Sequence, residues 1–485
     1  MRRLDEPYHI LDEIHGLIRL SEAERAIVDS PYFQRLRHIK QLGLAHMVFP
    51  GADHTRFSHS LGTLHIAATL CVRFGLDDED EARLLRMAAL LHDVGHFPLS
   101  HTLEKAYSDI EDARGQAKLG EDAELGGSTP PQSSGGVRPD LVGHLPHRAV
   151  LHEDMGRHVI MNTACPGGIT DILHKQGFDE AARFQIAQII TAGHQDNFYN
   201  QFMHSELDAD QMDYLIRDAT ATGSKYGLYD LDYLLDCLCS QRIQGNRMLC
   251  VGQEGLRAVE HYALARYFYY AQILYHKTRL IVEKIATRVW ANLLETAPQV
   301  APSLDTLKNE VDSPRFVGFQ DSLVWQALNE VHGGQKADAD TNNLIEMLLR
   351  RQLPKPLAER QVRIEKSADV GEHEVAIRES WKSLPSSPLL ERQGLSWQHE
   401  QFSVAKTIEE IRDRGEFPSA EEVIAKDNDP IRISFGEDDV FGDCRRLPTD
   451  DGHRVTVLSE IGSSLICDLA GRRTHVFRFY GEKKE

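Results

Sequence analysis

The sequence predicts a mostly α-helical protein with a smaller α+β portion towards its C-terminal end. Three features carry that expectation. Apolar residues recur at helical spacing over long stretches, as in Leu84, Leu85, Ala88, Leu91 and Val94. Helix starts carry capping chemistry, with Ser30-Pro31 as the clearest case. Short β-like runs appear only late, at Pro430 to Phe435, Arg454 to Leu458 and Thr474 to Phe479.

Taken in order, residues 8–28 read as an extended lead-in with a turn at His15-Gly16. The helix opened by Ser30-Pro31 has Phe33, Leu36, Ile39 and Lys40 along its inner side and ends at Gly43. Arg35, Arg37 and Lys40 give its other faces a basic character, the pattern of a solvated surface. Phe49 to Ser60 is a turn-rich loop leading into a helix over 60–74. Arg56 and His59 stand three residues apart at its start, where both can point into one cleft. The acidic run Asp77 to Glu81 opens the next helix and complements its dipole.

Residues 108–147 change character. The stretch Gly126 to Gly136 cannot bury apolar surface and reads as part of a mobile insertion, for which a lid and a plain loop are both open readings. Helical periodicity resumes over 149–290. It includes Leu207 to Asp218, with four aspartates among apolar residues, and an aromatic-rich helix over 257–290. The expected organisation is a helical core over 1–290. Residues 291–485 form the α+β portion, packed on that core or serving an oligomer contact.

The net charge of −20 argues against long nucleic-acid tracts as the main partner but leaves room for a small phosphate-bearing ligand. The seven cysteines are scattered, and Cys237 and Cys239 lack a second pair to make a zinc site. Unpaired thiols, no apolar leader in Met1 to Pro7 and no membrane-length apolar run give the expectation of a cytoplasmic protein without a membrane partner.

The chemistry concentrates in Ala88 to His101. An apolar helix ends in His92-Asp93, and His96 and His101 follow closely. A carboxylate entering the interior alone costs about several kcal/mol, so a cap, a salt bridge or a bound cation must neutralise it. With His59 and Asp210 the pair makes two imidazoles and two carboxylates. That set suits Mn, Fe, Ni, Co or Mg with positions left for water or phosphate oxygens; zinc in a closed structural site would more usually carry thiolates.

The order His59, His92-Asp93, Asp210 resembles the HD superfamily of metal-dependent phosphohydrolases, and would make residues 1–290 an HD-type helical catalytic core. The likeness extends to the dNTP triphosphohydrolases related to the SAM-and-HD-domain enzyme of animal cells, without a SAM domain. It runs over about 8–290. Its motifs are Asp29-Ser30-Pro31 with Phe33 to Arg37, Ile39 to Gly43, Val48 to Ala52, Arg56 to Gly62, His92 to His96 with Pro98 and Ser100-His101, His152-Glu153, and Asp208 to Asp218.

The resemblance implies that His59, His92, Asp93 and Asp210 hold a divalent metal ion (Mn, Fe, Mg, Ni, Co or Zn). His96, His101 and His152 would be active-site histidines, with His101 as acid for the departing 5′-oxygen and Glu104 behind its ring. Arg56 and Arg266 would meet phosphate, and Gln41, Leu42, Tyr214 and Asp218 the deoxyribose. The implied reaction is attack of metal-activated water on the α-phosphorus of a dNTP, releasing nucleoside and triphosphate. A homo-oligomer and a guanine-nucleotide or dNTP activator belong to the same picture, with Asp29, Gln34 and Arg37 matching part of an activator site.

Departures keep alternatives open. Gln211 stands where the family has a phosphate-binding lysine, Leu274 where a tyrosine packs on the sugar, and Tyr8 where an activator-site lysine would be. A phosphatase of nucleoside mono- or diphosphates or another phosphoester, a nucleotide sensor and a single-strand nucleic-acid-processing protein are the rival readings.

Overall fold

Capping and burial explain the order of elements in the computed structural model, which describes residues 5–76, 79–125, 151–243, 245–334, 337–365, 368–403, 432–435, 447–450, 454–458, 461, 464 and 472–481. The lead-in is a hairpin, Tyr8–Asp12 against Gly16–Leu20, with Asp12 opposite Gly16. Gly16 takes φ +67°, the left-handed turn geometry that suits glycine. The lead-in does not stay extended to residue 28. Ser21 and Glu24 form a reciprocal capping box that starts a helix at Glu22–Val28.

The Ser30-Pro31 helix is much shorter than expected. It winds as Pro31–Gln34 and a tighter turn Arg35–His38, after which Ile39 is extended and Lys40 bridges Thr55. Phe33, Leu36 and Ile39 are buried as anticipated. Arg35 is not on a solvated face: it is 1% exposed and donates to the carbonyls of Phe319 (2.9 Å) and His96 (2.7 Å). Those two bonds hold the segment against the core where a longer helix would have carried Arg35 outward.

Six helices frame the site. Arg56–Arg73, starting four residues earlier than expected, packs against Glu79–Leu91 and Ala209–Thr222. His101–Leu125 packs against Lys277–Thr296, and Leu151–Asn162 touches His101–Leu125. Their shared core is aliphatic, with Leu61, Leu64, Leu90, Leu91, Val94 and Leu103 essentially solvent-free. The first part of the segment read as an insertion, 108–125, therefore continues a helix, whereas 126–147 lies outside the described residues. Within the acidic run, Glu81 does more than complement a dipole, since it pairs with Arg247.

Two corrections fall in 149–290. Residues expected to be helical form a hairpin, Leu238–Ile243 with Asn246–Gly252. The long aromatic helix is broken: Leu256–Tyr269 passes into a wider turn at Tyr270–Leu274, and a new helix starts at Lys277 with His276 accepting from the Thr278 amide at 3.3 Å.

The late strands occur where expected, at Arg432–Phe435, Arg454–Val457 and Arg472–Gly481. Arg432–Phe435 and Arg454–Val457 do not stand apart from the N-terminal half. Val251 pairs in parallel with Ile433, so they extend the Leu238–Gly252 hairpin into a five-stranded sheet. Arg472–Gly481 is the central strand of a second sheet, between Lys355–Glu365 and Trp397–Ser403. Among the described residues, no helix is long and apolar enough to cross a membrane.

Candidate metal and active site

Three helices deliver three donor atoms to one point. His59 comes from the first turn of Arg56–Arg73, His92 from just beyond Glu79–Leu91, and Asp210 from the first turn of Ala209–Thr222. His59 Nε2 lies 2.9 Å from Asp210 Oδ1 and 3.2 Å from His92 Nε2. Spacings near 3 Å are those of neighbouring corners around an ion whose bonds run about 2.1 Å.

The protons can be assigned from the groups behind the rings. His92 Nδ1 faces the Ala89 carbonyl at 2.8 Å and must donate to it. His59 Nδ1 faces Asp213 at 2.7 Å, a carboxylate that also receives Arg217 and so is itself an acceptor. Both Nε2 lone pairs therefore converge beside a carboxylate oxygen. Something positive must stand among them. A proton on His59 is one solution. Burial opposes it, but the hydrogen bonds to Asp210 and Asp213 raise the imidazole to about 10. A divalent ion in that proton's place is the other, and the donor set fits it.

Asp93 approaches the same point from the side. Its Oδ1 is 3.5 Å from His92 Nε2, while Oδ2 is held by Arg56 Nη1 at 2.7 Å. Burial would raise this carboxyl, but Arg56 and the neighbouring histidines keep it below its usual range. Arg56 also donates to Ser100 Oγ at 2.9 Å. The arginine expected on phosphate is thus tied to a metal-ligand candidate.

A second cluster adjoins the first, with His96 Nε2 3.8 Å from Asp93 Oδ1. Glu104 is shared by two rings: His101 Nδ1 is 2.8 Å from Oε2 and His152 Nδ1 is 2.9 Å from Oε1. The His152 amide adds a bond at 3.0 Å. Burial lowers the His152 imidazole, yet Glu104 outweighs it and lifts the ring to about 9. Glu104 itself is lowered despite burial, because His152 and His101 surround it. His96 stacks on His152 at 4.2 Å; both its ring nitrogens are buried without a partner, and burial with the Arg56 charge keeps the ring neutral. The His101 ring is 62% exposed and its Nε2 is left to meet a ligand.

The residues expected around a sugar are only partly free to do so. Asp218 already accepts from His54 Nε2 at 2.6 Å and from the Tyr269 hydroxyl. Gln41 keeps a buried, unpartnered Oε1, and Leu42 beside it is in the core. Tyr214 lies against Tyr269 with ring centroids 5.7 Å apart. Gln211 occupies the missing lysine's place: its amide donates to Ser205 O (2.8 Å) and Asp208 (3.0 Å), and its carbonyl accepts from Arg266 at 3.1 Å. Arg266 also pairs with Glu206 at 3.3 Å. Of the activator-site matches, Gln34 bonds the Val28 carbonyl and Arg37 bonds Gln34.

Sequence reasoning passed over Asp12, His15, Asp213 and Arg217, which back His59. The one available signal was Asp213 and Arg217 at i, i+4 on the aspartate-rich helix.

Against this geometry, a model of the HD domain matches residues 56–125, the segment that supplies His59, His92, Asp93, His96, His101 and Glu104. An uncharacterized protein of Methanocaldococcus jannaschii is 32% identical over 279 residues, which covers 58% of this chain and 48% of that protein. The human deoxynucleoside triphosphate triphosphohydrolase SAMHD1 is 45% identical over 101 residues, 20% of this chain and 16% of that protein. The chain thus spans about half the length of the archaeal relative and far less of the human one. Among solved structures, a hypothetical protein from Aquifex aeolicus has a TM-score of 0.62 at 24% identity, covering 97% of this chain and 96% of that one. A phosphohydrolase from Bacteroides thetaiotaomicron has a TM-score of 0.60 at 20% identity, covering 98% and 100%. At those identities the likeness is one of fold.

Proposed function

We propose, from the HD-domain match over residues 56–125, that the chain is a phosphohydrolase of the HD superfamily and that it hydrolyses deoxynucleoside triphosphates to deoxynucleoside and triphosphate. The observation that carries this reading is the adjacency of the His59, His92 and Asp210 donor set to the His101–Glu104–His152 bridge. One cluster can hold a cation against phosphate oxygens, and the other can hand a proton to a leaving group. The 45% identity to SAMHD1, named for its action on deoxynucleoside triphosphates, supports the substrate class.

His59, His92 and Asp210, with Asp93 Oδ1 at their side, would hold the ion. A bound divalent cation supplies Lewis acidity and activates water near neutral pH. The chain's own groups do the rest. Glu104 fixes the His101 ring through Nδ1, so that Nε2 presents the proton for the departing 5′-oxygen. His152, kept cationic by the same carboxylate, offsets charge on the non-bridging oxygens. Arg56 acts indirectly by orienting Asp93. Arg266, poised between Gln211 and Glu206, is a cation placed to take up the role of the missing lysine. A homo-oligomer and a nucleotide activator belong to the same proposal.

A second reading keeps the site and changes the substrate. Gln211 brings no charge to a triphosphate tail, which favours a phosphatase of nucleoside mono- or diphosphates or another phosphoester. Incubating metal-loaded protein with each dNTP, GTP and ATP, with an Asp210→Ala control, separates the two. Nucleoside plus triphosphate, lost in the control, supports the first reading; orthophosphate replaces it with the second.

A further inference from the structure

We propose that the N-terminal hairpin is a metal-retention strap: through Asp12, His15, Arg217 and Asp213 it sets how tightly the His59 site holds its divalent cation. The inference rests on the metal reading above and extends it to residues outside the donor set.

The chain of contacts is continuous. His59 Nδ1 donates to Asp213 Oδ2 at 2.7 Å. Asp213 is gripped from two directions, by Arg217 (Nε at 2.8 Å, Nη2 at 2.9 Å) and by His15 Nε2 at 2.6 Å. Arg217 is in turn held by both oxygens of Asp12, at 2.9 and 3.1 Å. Asp12 also builds the hairpin turn, accepting from the amides of Ile14 (3.0 Å) and His15 (2.9 Å). One carboxylate thus shapes the turn and clamps the arginine.

The hairpin grips the site helix as well. His15 stacks on His65, six residues beyond His59 on the same helix, with centroids 5.0 Å apart. Ile18 and Leu20 anchor the second strand in the core. The passage for these side chains is cut through the helix at Gly62. A Cβ there would stand 1.9 Å from Asp213 Oδ1 and 2.5 Å from Arg217 Nη2. Glycine mid-helix is unfavourable relative to alanine, so its use here marks the room that the pair requires.

Asp12, Asp213 and Arg217 are all buried, so each charge depends on the next for compensation. A carboxylate behind a ligating imidazole fixes the ring and strengthens its lone pair, and losing it typically lowers metal affinity about 10–100-fold. Here that carboxylate is itself positioned by a hairpin more than 190 residues distant in the chain. Asp213 is therefore a positioning residue, and the hairpin is the part whose undocking would release the ion.

The test uses the full chain loaded with Mn²⁺ or Co²⁺. Dissociation constant, rate of metal loss to EDTA and the Co²⁺ absorption spectrum are measured for wild type, Asp213→Asn, Asp213→Glu and Asp12→Asn. The expected result is an affinity loss of about 10–100-fold in Asp213→Asn. Asp12→Asn should release metal faster, and Asp213→Glu should recover part of the loss. The metal-free unfolding midpoint is recorded beside each. A merely structural role would lower that midpoint and leave affinity and spectrum unmoved, which overturns the proposal. If Asp213→Asn does not fold, Asp12→Asn, remote from the donor atoms, decides alone. Wild-type protein that takes up neither ion overturns the metal reading itself, a separate result.

Discussion

Replacing Glu104 by glutamine should produce a stability loss that depends on pH in a defined window. In the wild type, burial pulls the His152 imidazole down, but Glu104 outweighs it and raises the ring from its ordinary 6.5 to about 9. A group raised in the folded state contributes stability that is fully present below its unfolded pKa and is lost as pH rises through the folded one. For His152 that window runs from 6.5 to about 9. Each tenfold change in proton affinity is worth about 1.4 kcal/mol, so the gap corresponds to about 3 kcal/mol. Glu104 is the depressed partner of the same interaction, so its contribution is not counted again; it would be lost only in acid. Glutamine keeps the shape and one acceptor while removing the charge. The variant should therefore be less stable by about 3 kcal/mol at pH 6, and by about 1.5 kcal/mol at pH 10, where a hydrogen bond from the neutral ring to the ionised carboxylate is what remains at stake. Urea unfolding at pH 6, 8 and 10 measures this. An unchanging difference across the three pH values would refute the reasoning, because it would mean that the Glu104–His152 pair carries no charge.

Three further outcomes follow from the same geometry. Arg56→Met strands Asp93 without its 2.7 Å partner, and should cost about 3–5 kcal/mol in unfolding experiments on metal-free protein, with part of the loss recovered when a divalent ion is added. Chelation of the bound ion should lower the thermal midpoint, and restoring metal to 100 times its dissociation constant should return about 2.7 kcal/mol. Gln211→Lys should shift turnover towards triphosphate-bearing substrates, read as the ratio of kcat/KM for a dNTP over its monophosphate; a ratio that stays constant would place the tail elsewhere than beside Arg266.

The side chains that the structure gathers at this point were largely legible because their motifs are local. His59, His92, Asp93, His96, His101 and Glu104 fall within one segment whose spacings survive as motifs, and only Asp210 and His152 come from further along. What stayed hidden is the pairing of charged side chains with distant partners. Asp12 meets Arg217 across 205 positions, and Arg35 meets Phe319 across 284. Nothing local distinguishes such an arginine from a solvated one, which is why Arg35 looked like surface. Asp321 makes the same point. From the first turn of Asp321–Gly334 its carboxylate accepts from the amides of Leu99 (2.7 Å) and Lys40 (3.1 Å), steadying a loop in which Leu99 and Ser100 both take φ +54°. The partners of Asp218, expected from the resemblance to meet the sugar, were hidden in the same way: His54 and Tyr269 could not be placed on its two oxygens without the fold.

The distribution of charge sets Asp210 apart from the other buried carboxylates as a place for a cation. Asp93 has Arg56, and Asp12 and Asp213 share Arg217. Glu104 has His152, which burial disfavours as a cation but which that carboxylate keeps charged. Asp210 faces two imidazoles instead, and among the described residues no lysine or arginine pairs with it. It is also the most accessible of the donor-set side chains, at 33% against 9% or less for His59, His92 and Asp93. A cluster whose open-side carboxylate has only a protonatable imidazole to compensate it can exchange that proton for a cation, on the side where a substrate's phosphate oxygens would also arrive. The arginines thus do not compete with the ion. They pair with Asp93, Asp12 and Asp213 and leave Asp210 to the two imidazoles.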